Sequence, residues 1–69
     1  MPSAAVRDIE YDPESETLWV TFVPTGKRYA YRLVPLAVYD EFIRAFSKGT
    51  YFNRFIRDRY GYSEVDADE

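Results

Sequence analysis

The sequence of 69 residues contains no cysteine and no histidine. Without cysteine there is no disulfide and no thiolate metal site, and without histidine the usual proton switch is missing. Nucleophilic catalysis by either residue type is excluded with them. The length indicates one domain, which must be held together by packing alone. We expect neither an enzyme nor a metal or cofactor site, because no other residues form a convincing catalytic set.

Long apolar runs are also absent. No stretch approaches the roughly 20 residues of a membrane span, and the first five residues lack the basic and hydrophobic regions of a signal peptide. We therefore expect a cytoplasmic protein without a membrane contact. What the chain has instead is thirteen aromatic residues, seven of them tyrosine. Each buried ring removes on the order of 150 to 250 Å² from water, which supplies a core.

The net charge of −3 conceals an uneven distribution. Acidic side chains concentrate near the two ends of the chain, at Asp8, Glu10, Asp12, Glu14, Glu16, Glu64, Asp66, Asp68 and Glu69. Between residues 44 and 60 the order reverses, and Asp58 alone opposes the cations Arg44, Lys48, Arg54, Arg57 and Arg59. The second half of the folded body is therefore predicted to be basic.

Alternating apolar and polar residues predict three strands. They cover residues 6–11, residues 17–23 and a stretch from residue 27 that is ended by Pro35. The register that keeps the large apolar side chains on one face pairs Tyr11 with Leu18, Ile9 with Val20, Phe22 with Tyr29, Val20 with Tyr31 and Leu18 with Leu33. The result is an antiparallel meander with the second strand in the centre.

Helical spacing of apolar residues follows the strands. Pro35 suits a helix start, and a first helix is predicted from residue 36 to about residue 47. Its buried face is formed by Val38, Tyr39, Phe42, Ile43 and Phe46. Lys48 and Gly49 form a stop, and Thr50 caps a second helix over residues 51–60, which buries Phe52, Phe55 and Ile56.

The predicted fold class is therefore α+β, a three-stranded antiparallel β-meander followed by two α-helices packed on one face. Residues 1–5 are predicted to be flexible, and residues 6–61 form the single domain. Residues 62–69 are predicted to be an acidic, disordered tail.

The ordered motifs of this chain resemble the KTSC family, over residues 5–60. They are Tyr11-Asp12, Gly26, the central Tyr29-Ala30-Tyr31, Val34-Pro35, the stretch 45–53 (Ala-Phe-Ser-Lys-Gly-Thr-Tyr-Phe-Asn), Ile56-Arg57 and Tyr60. The family is named for its occurrence at the C-terminus of some lysyl-tRNA synthetases and also occurs as stand-alone proteins in bacteria and phages. The resemblance implies no established function and no catalytic residues. RNA binding is suggested by the synthetase context.

Tyr29 and Tyr31 have two readings. They resemble an aromatic platform on which RNA bases stack. The register instead places both beneath the helices, as core residues with hydroxyl groups at the rim, and this reading is favoured. Pro35, the third residue of the family motif, is assigned to the core with them.

Trp19 falls on the face that the helices leave open, flanked by Arg32 with Arg28 nearby. An exposed indole beside arginines is suited to stacking on a base or to anchoring a partner protein, including a second copy of the chain. The alternative is a cross-strand cluster in which Arg32 covers the ring and Glu10 balances the charge, with no ligand.

The predicted helices carry a set suited to neutralising phosphates, namely Arg44, Lys48, Asn53, Arg54 and Arg57. The alternative is ordinary solvated helix surface, with Lys48 favoured at a helix C-terminus by the dipole. Asp12, Glu14 and Glu16 alternate like calcium ligands, but Pro13 and the missing glycine favour a plain turn. We expect a small binding module for RNA, alternatively for protein or itself through the open face, with no small-molecule substrate.

Overall fold

The computed structural model describes residues 5–65, which form a four-stranded antiparallel sheet and two helices. The elements are β1 (Ala5–Asp12), β2 (Thr17–Val23), β3 (Arg28–Tyr31), α1 (Leu36–Arg44), α2 (Lys48–Phe55) and β4 (Tyr62–Val65). The strand order in the sheet is β1-β2-β3-β4. This architecture confirms the α+β class. Residues 1–4, most of the predicted flexible N-terminus, lie outside the described residues, as do residues 66–69 of the predicted tail.

The fourth strand is not anticipated by the sequence pattern. The chain was expected to be disordered from residue 62, whereas residues 62–65 pair antiparallel with β3, with Tyr62 opposite Tyr31 and Glu64 opposite Tyr29. The ring of Tyr62 lies 5.2 Å from that of Tyr31, measured between centroids. This aromatic contact holds β4 to the sheet. Its two middle residues, Ser63 and Glu64, are polar and exposed, which is typical of a tail as well as of an edge strand.

The predicted register holds between β1 and β2 and shifts between β2 and β3. Tyr11 lies opposite Leu18, as expected, but Leu18 lies opposite Tyr31 rather than Leu33. The shift of two residues leaves every side chain on its predicted face, because faces alternate with a period of two. Leu33 is the exception. It has a φ of 59° beyond the end of β3 and is 71% exposed.

The first helix begins at Leu36 as predicted, but both helices end earlier than predicted and the second also begins earlier. The first ends at Arg44, where Ala45 already has an extended backbone. The second begins at Lys48, because the Ser47 hydroxyl oxygen accepts a hydrogen bond from the Thr50 N–H at 3.2 Å. Ser47 rather than Thr50 is therefore the cap, and the stop assigned to Lys48 and Gly49 is the first turn of α2. The helix ends at Phe55 instead of Tyr60.

The core lies between the helices and one face of the sheet. Its buried residues are Leu18, Val20, Phe22, Tyr31, Val34, Phe42, Phe52 and Ile56. Helix α1 is further anchored by Tyr39, whose ring stacks on Tyr11 at 4.6 Å between centroids. The Tyr11 hydroxyl donates to the Val34 carbonyl oxygen at 2.6 Å, which ties β1 to the segment that enters α1. Three residues predicted to be buried, Ile43, Phe46 and Phe55, are exposed. Phe46 is exposed because α1 ends before it.

Candidate functional site

The basic segment, defined here as residues 48–59, combines α2 with the turn that follows it. It carries Lys48, Arg54, Arg57 and Arg59 against Asp58, so four cations oppose one carboxylate and the segment has a net charge of +3. Burial of Phe52 and Ile56 in the core turns the intervening side chains outward. Asn53, Arg54 and Arg57 are all exposed. The segment therefore presents positive charge to solvent on a chain whose net charge is −3.

Direct contacts join only some of the predicted phosphate-binding residues. The Arg57 guanidinium donates from Nη1 to Oδ1 of Asn53 at 3.4 Å. Lys48 donates from Nζ to the Ala45 carbonyl oxygen at 3.3 Å, at the C-terminal end of α1. Within residues 5–65, Arg54 has neither a side-chain hydrogen bond nor a salt bridge. Three cations of the predicted set thus remain able to contact an anion.

Arg44 differs from the other predicted members. It lies in the last turn of α1, and its Nε is 3.4 Å from Oδ1 of Asp40, four residues earlier. Its side chain is nevertheless 76% exposed. No hydrogen bond or ion pair in the described part of the chain links Arg44 to α2. It therefore borders the basic segment without belonging to it.

The open face of the sheet holds a different cluster. Arg28 donates from Nη2 to Oε1 of Glu10 at 2.7 Å, and its Cζ lies 5.9 Å from the centroid of the Trp19 ring. The sequence predicts Arg32 in this position. The shifted register instead places Ala30 opposite Trp19. Arg28 lies opposite Thr21, two residues along the strand, and from there reaches over the indole. Arg28 and Glu10 thus form a cross-strand cluster with Trp19.

A groove of about 520 Å³ runs along the open face beside this cluster. Its lining residues are Ser15, Thr17, Trp19, Ala30, Arg32, Leu33, Ser63 and Val65. Arg32 donates from Nη2 to the Ser63 hydroxyl at 3.4 Å across it. The sequence reasoning missed this groove because one wall belongs to β4, which it did not anticipate. Tyr62 and Val65 were the only apolar residues of that segment, and they do not alternate with the period of two that identifies a strand.

The tyrosines of the core are held in their neutral form. Desolvation by burial raises the pKa of Tyr31 to about 12, and the neighbouring Tyr62 and Tyr29 act in the same direction. Burial also raises the pKa of Tyr51 to about 12, aided by its hydrogen bond to Oε1 of Glu41 at 2.9 Å. Side chains whose pKa lies so far above neutral pH do not exchange protons readily at neutral pH, which makes them unsuited to acid–base catalysis.

The structure places the central Tyr29-Ala30-Tyr31 motif on β3, beneath the helices on its tyrosine face. Tyr31 is 4% exposed, and Tyr29 is half-buried against the same core. Pro35, which was assigned to the core with these tyrosines, is instead exposed, and it forms the N-cap of α1 with an extended backbone. Both tyrosine rings are occupied by aromatic neighbours, Tyr29 by Phe22 and Tyr62, and Tyr31 by Phe52 and Tyr62.

The acidic turn after β1 is organised by its own backbone. Asp12 accepts from the Glu14 N–H at 3.0 Å through Oδ1 and from the Ser15 hydroxyl at 3.1 Å through Oδ2. Across residues 5–65 no three histidine, cysteine, aspartate or glutamate side chains are grouped so as to hold a metal ion. Neither helix in that range is long and apolar enough to cross a membrane.

The fold defines a small α+β domain that carries an exposed basic segment. A family model described as the KTSC domain matches residues 2–60. The chain belongs to the KTSC domain family, which confirms the resemblance noted in the sequence. The domain has no known function and is associated with lysine–tRNA ligases. Nothing in the family match or in the structural similarity identifies a catalytic activity.

Three relatives illustrate where such domains occur. A lysine–tRNA ligase of Nostoc sp. is 37% identical over 60 residues, which are 87% of this chain and 10% of the ligase. An uncharacterized protein of Stutzerimonas stutzeri is 34% identical over 67 residues, covering 96% of this chain and 93% of that protein. The crystal structure of a KTSC domain protein from Yersinia pestis superposes with a TM-score of 0.86 at 29% identity, covering 96% and 92% of the two chains.

The chain spans about a tenth of the length of the ligases that it matches. The relatives of its own size carry no stated activity. Whether this chain binds the same RNA as the ligases is therefore stated below as a proposal.

Proposed function

We propose that this domain is a non-catalytic RNA-binding module whose basic segment contacts phosphates. The observation that carries the proposal is the net charge of +3 on residues 48–59, exposed on a chain of net charge −3. Within residues 5–65 the cations of that segment make no salt bridge, whereas Arg7, Arg28 and Arg44 each do. Lys48, Arg54, Arg57 and Arg59 are therefore the cations available to an external anion.

The separation of charge across the molecule favours a defined orientation. The acidic residues of β1 and its turn repel a polyanion, while the basic segment attracts it. The hydrogen bond between Asn53 and Arg57 holds the guanidinium beside an amide that has its own donors. A phosphate at this position would accept from both side chains.

The similarity to lysine–tRNA ligases supports RNA as the polyanion. The Nostoc protein is, by its name, an enzyme that joins lysine to tRNA. A domain within the same chain meets that RNA at a high effective concentration, so that even a weak phosphate contact adds to affinity. Weak, charge-driven binding is what the modest size of the basic segment predicts for the isolated domain.

The test is a fluorescence-anisotropy titration of bulk tRNA at several salt concentrations. We expect wild-type affinity to fall steeply with salt, and Arg54→Ala with Arg57→Ala to reduce the slope of log K against log salt by about 1.4 to 1.8. The matched control removes the same charge elsewhere, with Arg7→Ala and Lys27→Ala, and should leave the slope nearly unchanged. If both double variants reduce the salt slope equally, or if the wild-type affinity does not depend on salt, the phosphate site is refuted.

The groove on the open face favours a second candidate, a protein-interaction module that includes the homodimer. An apolar groove of about 520 Å³ containing one indole and one guanidinium has the size and lining typical of a binding site. Light scattering at high concentration tests self-association. A monomer mass for the wild type excludes the homodimer, whereas a dimer that Trp19→Ala converts to monomer would locate its interface on this face.

A further inference from the structure

Phe46 lies in the three-residue link between α1 and α2 and is fully exposed. Both ends of that link are fixed. The Ala45 N–H donates to the Phe42 carbonyl oxygen at 3.2 Å, and the Ser47 side chain caps α2. Ala45 and Ser47 have extended backbones, so the link projects between two helix ends rather than winding with either of them. The backbone at Phe46 is therefore held at both sides, and its ring touches no other aromatic ring among residues 5–65.

Two cations flank the exposed ring. Arg44 precedes it by two residues and Lys48 follows it by two. The salt bridge of Arg44 to Asp40 is solvent-exposed, and such pairs contribute little to stability. Lys48 bonds only to a backbone carbonyl oxygen. Both ammonium and guanidinium groups can therefore turn to a phosphate without breaking a buried contact.

Single exposed apolar residues are ordinary on protein surfaces, so exposure alone does not identify a site. Phe46 differs by its place at the start of a segment of net charge +3, with a cation on either side. Helix α2 has eight residues and is about 12 Å long, which puts Arg54 and Arg57 within reach of a strand that contacts Phe46. An aromatic ring at one end of a row of cations is the arrangement that proteins use to bind unpaired nucleotides.

We infer that Phe46 stacks on an unpaired base, so that the RNA recognised by this domain is single-stranded or looped rather than fully duplex. The inference rests on the proposed function and deepens it by naming the class of RNA. Bases in a duplex are stacked on each other and are inaccessible to a side chain, whereas bases in loops and ends are accessible. The phosphates of the same nucleotides would contact Arg44 and Lys48, and the strand would continue along the basic segment.

The other exposed phenylalanine does not serve the same purpose. Phe55 lies at the end of α2 beside Arg54, but the ring of Tyr51 packs against it at 4.7 Å between centroids. One side of Phe55 is therefore occupied, and the residue is only half exposed. Phe55 is the matched control for Phe46, being the same residue type at the C-terminal end of α2, whereas Phe46 precedes the N-cap of that helix.

The experiment compares two RNA probes with equal numbers of phosphates, a single-stranded oligoribonucleotide and a perfect duplex, at low salt. Fluorescence anisotropy should show that Phe46→Ala weakens binding of the single strand by about fivefold or more and leaves the duplex unchanged. Phe46→Tyr keeps the ring and should retain wild-type affinity. Phe55→Ala should affect the single strand by less than about twofold.

The outcomes separate this inference from the phosphate site. Arg54→Ala with Arg57→Ala should weaken both probes, because phosphates are common to them. If Phe46→Ala leaves the single strand unchanged, or weakens both probes equally, stacking is refuted while RNA binding stands, and the ring becomes a candidate protein contact. If the wild type binds neither probe, both proposals are refuted. Because Phe46 is fully exposed, circular dichroism should show the same unfolding midpoint for Phe46→Ala as for the wild type.

Discussion

Tyr31 shows how a single side chain joins three elements of this fold. It lies on β3, and its ring meets Phe52 of α2 edge-on at 5.4 Å and stacks on Tyr62 of β4 at 5.2 Å. The side chain is almost completely buried. Burial explains why the pKa of its hydroxyl rises to about 12, since the phenolate would lose its hydration. The residue therefore couples the stability of the domain to alkaline pH.

We expect the free energy of unfolding to fall as the pH rises from about 10 to about 12. The unfolded chain releases the tyrosine proton near pH 10 and the folded chain only near pH 12, so the unfolded state binds fewer protons in this window. The stabilisation is complete below pH 10, and Tyr31 accounts for about 2 kcal/mol of the loss above it. Urea unfolding followed by circular dichroism measures the effect.

Tyr31→Phe is the control for this pH dependence. It keeps the ring contacts and removes the titrating group, so its stability should fall less steeply with pH. Some slope should remain, because the pKa of Tyr51 is raised as well. A variant with the full wild-type slope would show that Tyr31 is not a source of the alkaline loss.

At the same scale, helical spacing predicted the burial of some residues and not of others, since Ile43 and Phe55 lie within the helices and are exposed. Phe42 was expected in the core and is fully buried. Phe46, four residues later, has the same helical spacing and was assigned to the same face. It is exposed because α1 ends at Arg44, without a glycine to signal the end. Spacing predicts the face of a residue only while the helix continues. For this reason the exposure of Phe46, on which our inference depends, was not predicted.

At the scale of elements, strand faces were predictable and strand registers were not. A period of two fixes which residues of β2 and β3 face the helices, and it holds for any even shift. The actual shift is set by the hairpin, where the Phe22 N–H donates to the Lys27 carbonyl oxygen at 2.9 Å, and by the left-handed backbone of Leu33. The basic segment was likewise visible in sequence. The pairing of Arg44 with Asp40 and of Arg28 with Glu10 required coordinates.

The short strand β4 provides a prediction at the scale of elements. Tyr62→Ala removes the ring contacts with Tyr31 and Tyr29, at 5.2 Å and 5.8 Å between centroids. We expect a loss of about 1 kcal/mol in unfolding free energy. We also expect faster amide hydrogen exchange at Ser63 and Val65, because the strand would separate locally from β3.

Glu64→Ala is the matched control on the same strand and the same face. Its side chain has no hydrogen bond or salt bridge within residues 5–65, so its stability should change by less than about 0.5 kcal/mol. A loss in Glu64→Ala as large as in Tyr62→Ala would mean that the ring contacts do not hold β4.

At the scale of the whole molecule, the absence of histidine and cysteine has a measurable consequence. These are the side chains whose ordinary pKa values lie between about 6 and 9. Charge on the basic segment and on the acidic strand is therefore constant over that range.

We expect both the unfolding free energy and the affinity for tRNA to be nearly constant from pH 6 to pH 9 at fixed ionic strength. The affinity should vary by less than about twofold, while the salt dependence remains steep. Anisotropy titrations across this pH range provide the measurement. A large change of affinity with pH would indicate a perturbed group in the binding surface and would argue against simple phosphate contacts.

The two edge strands place both ends of the described chain at the same end of the sheet. Ala5 pairs with Val23 and Val65 pairs with Arg28, on either side of the hairpin between β2 and β3. Three strand spacings separate them, about 14 Å. A polypeptide fused or tethered at either position would therefore project past that hairpin. A single neighbouring domain could then be connected to both edge strands at once.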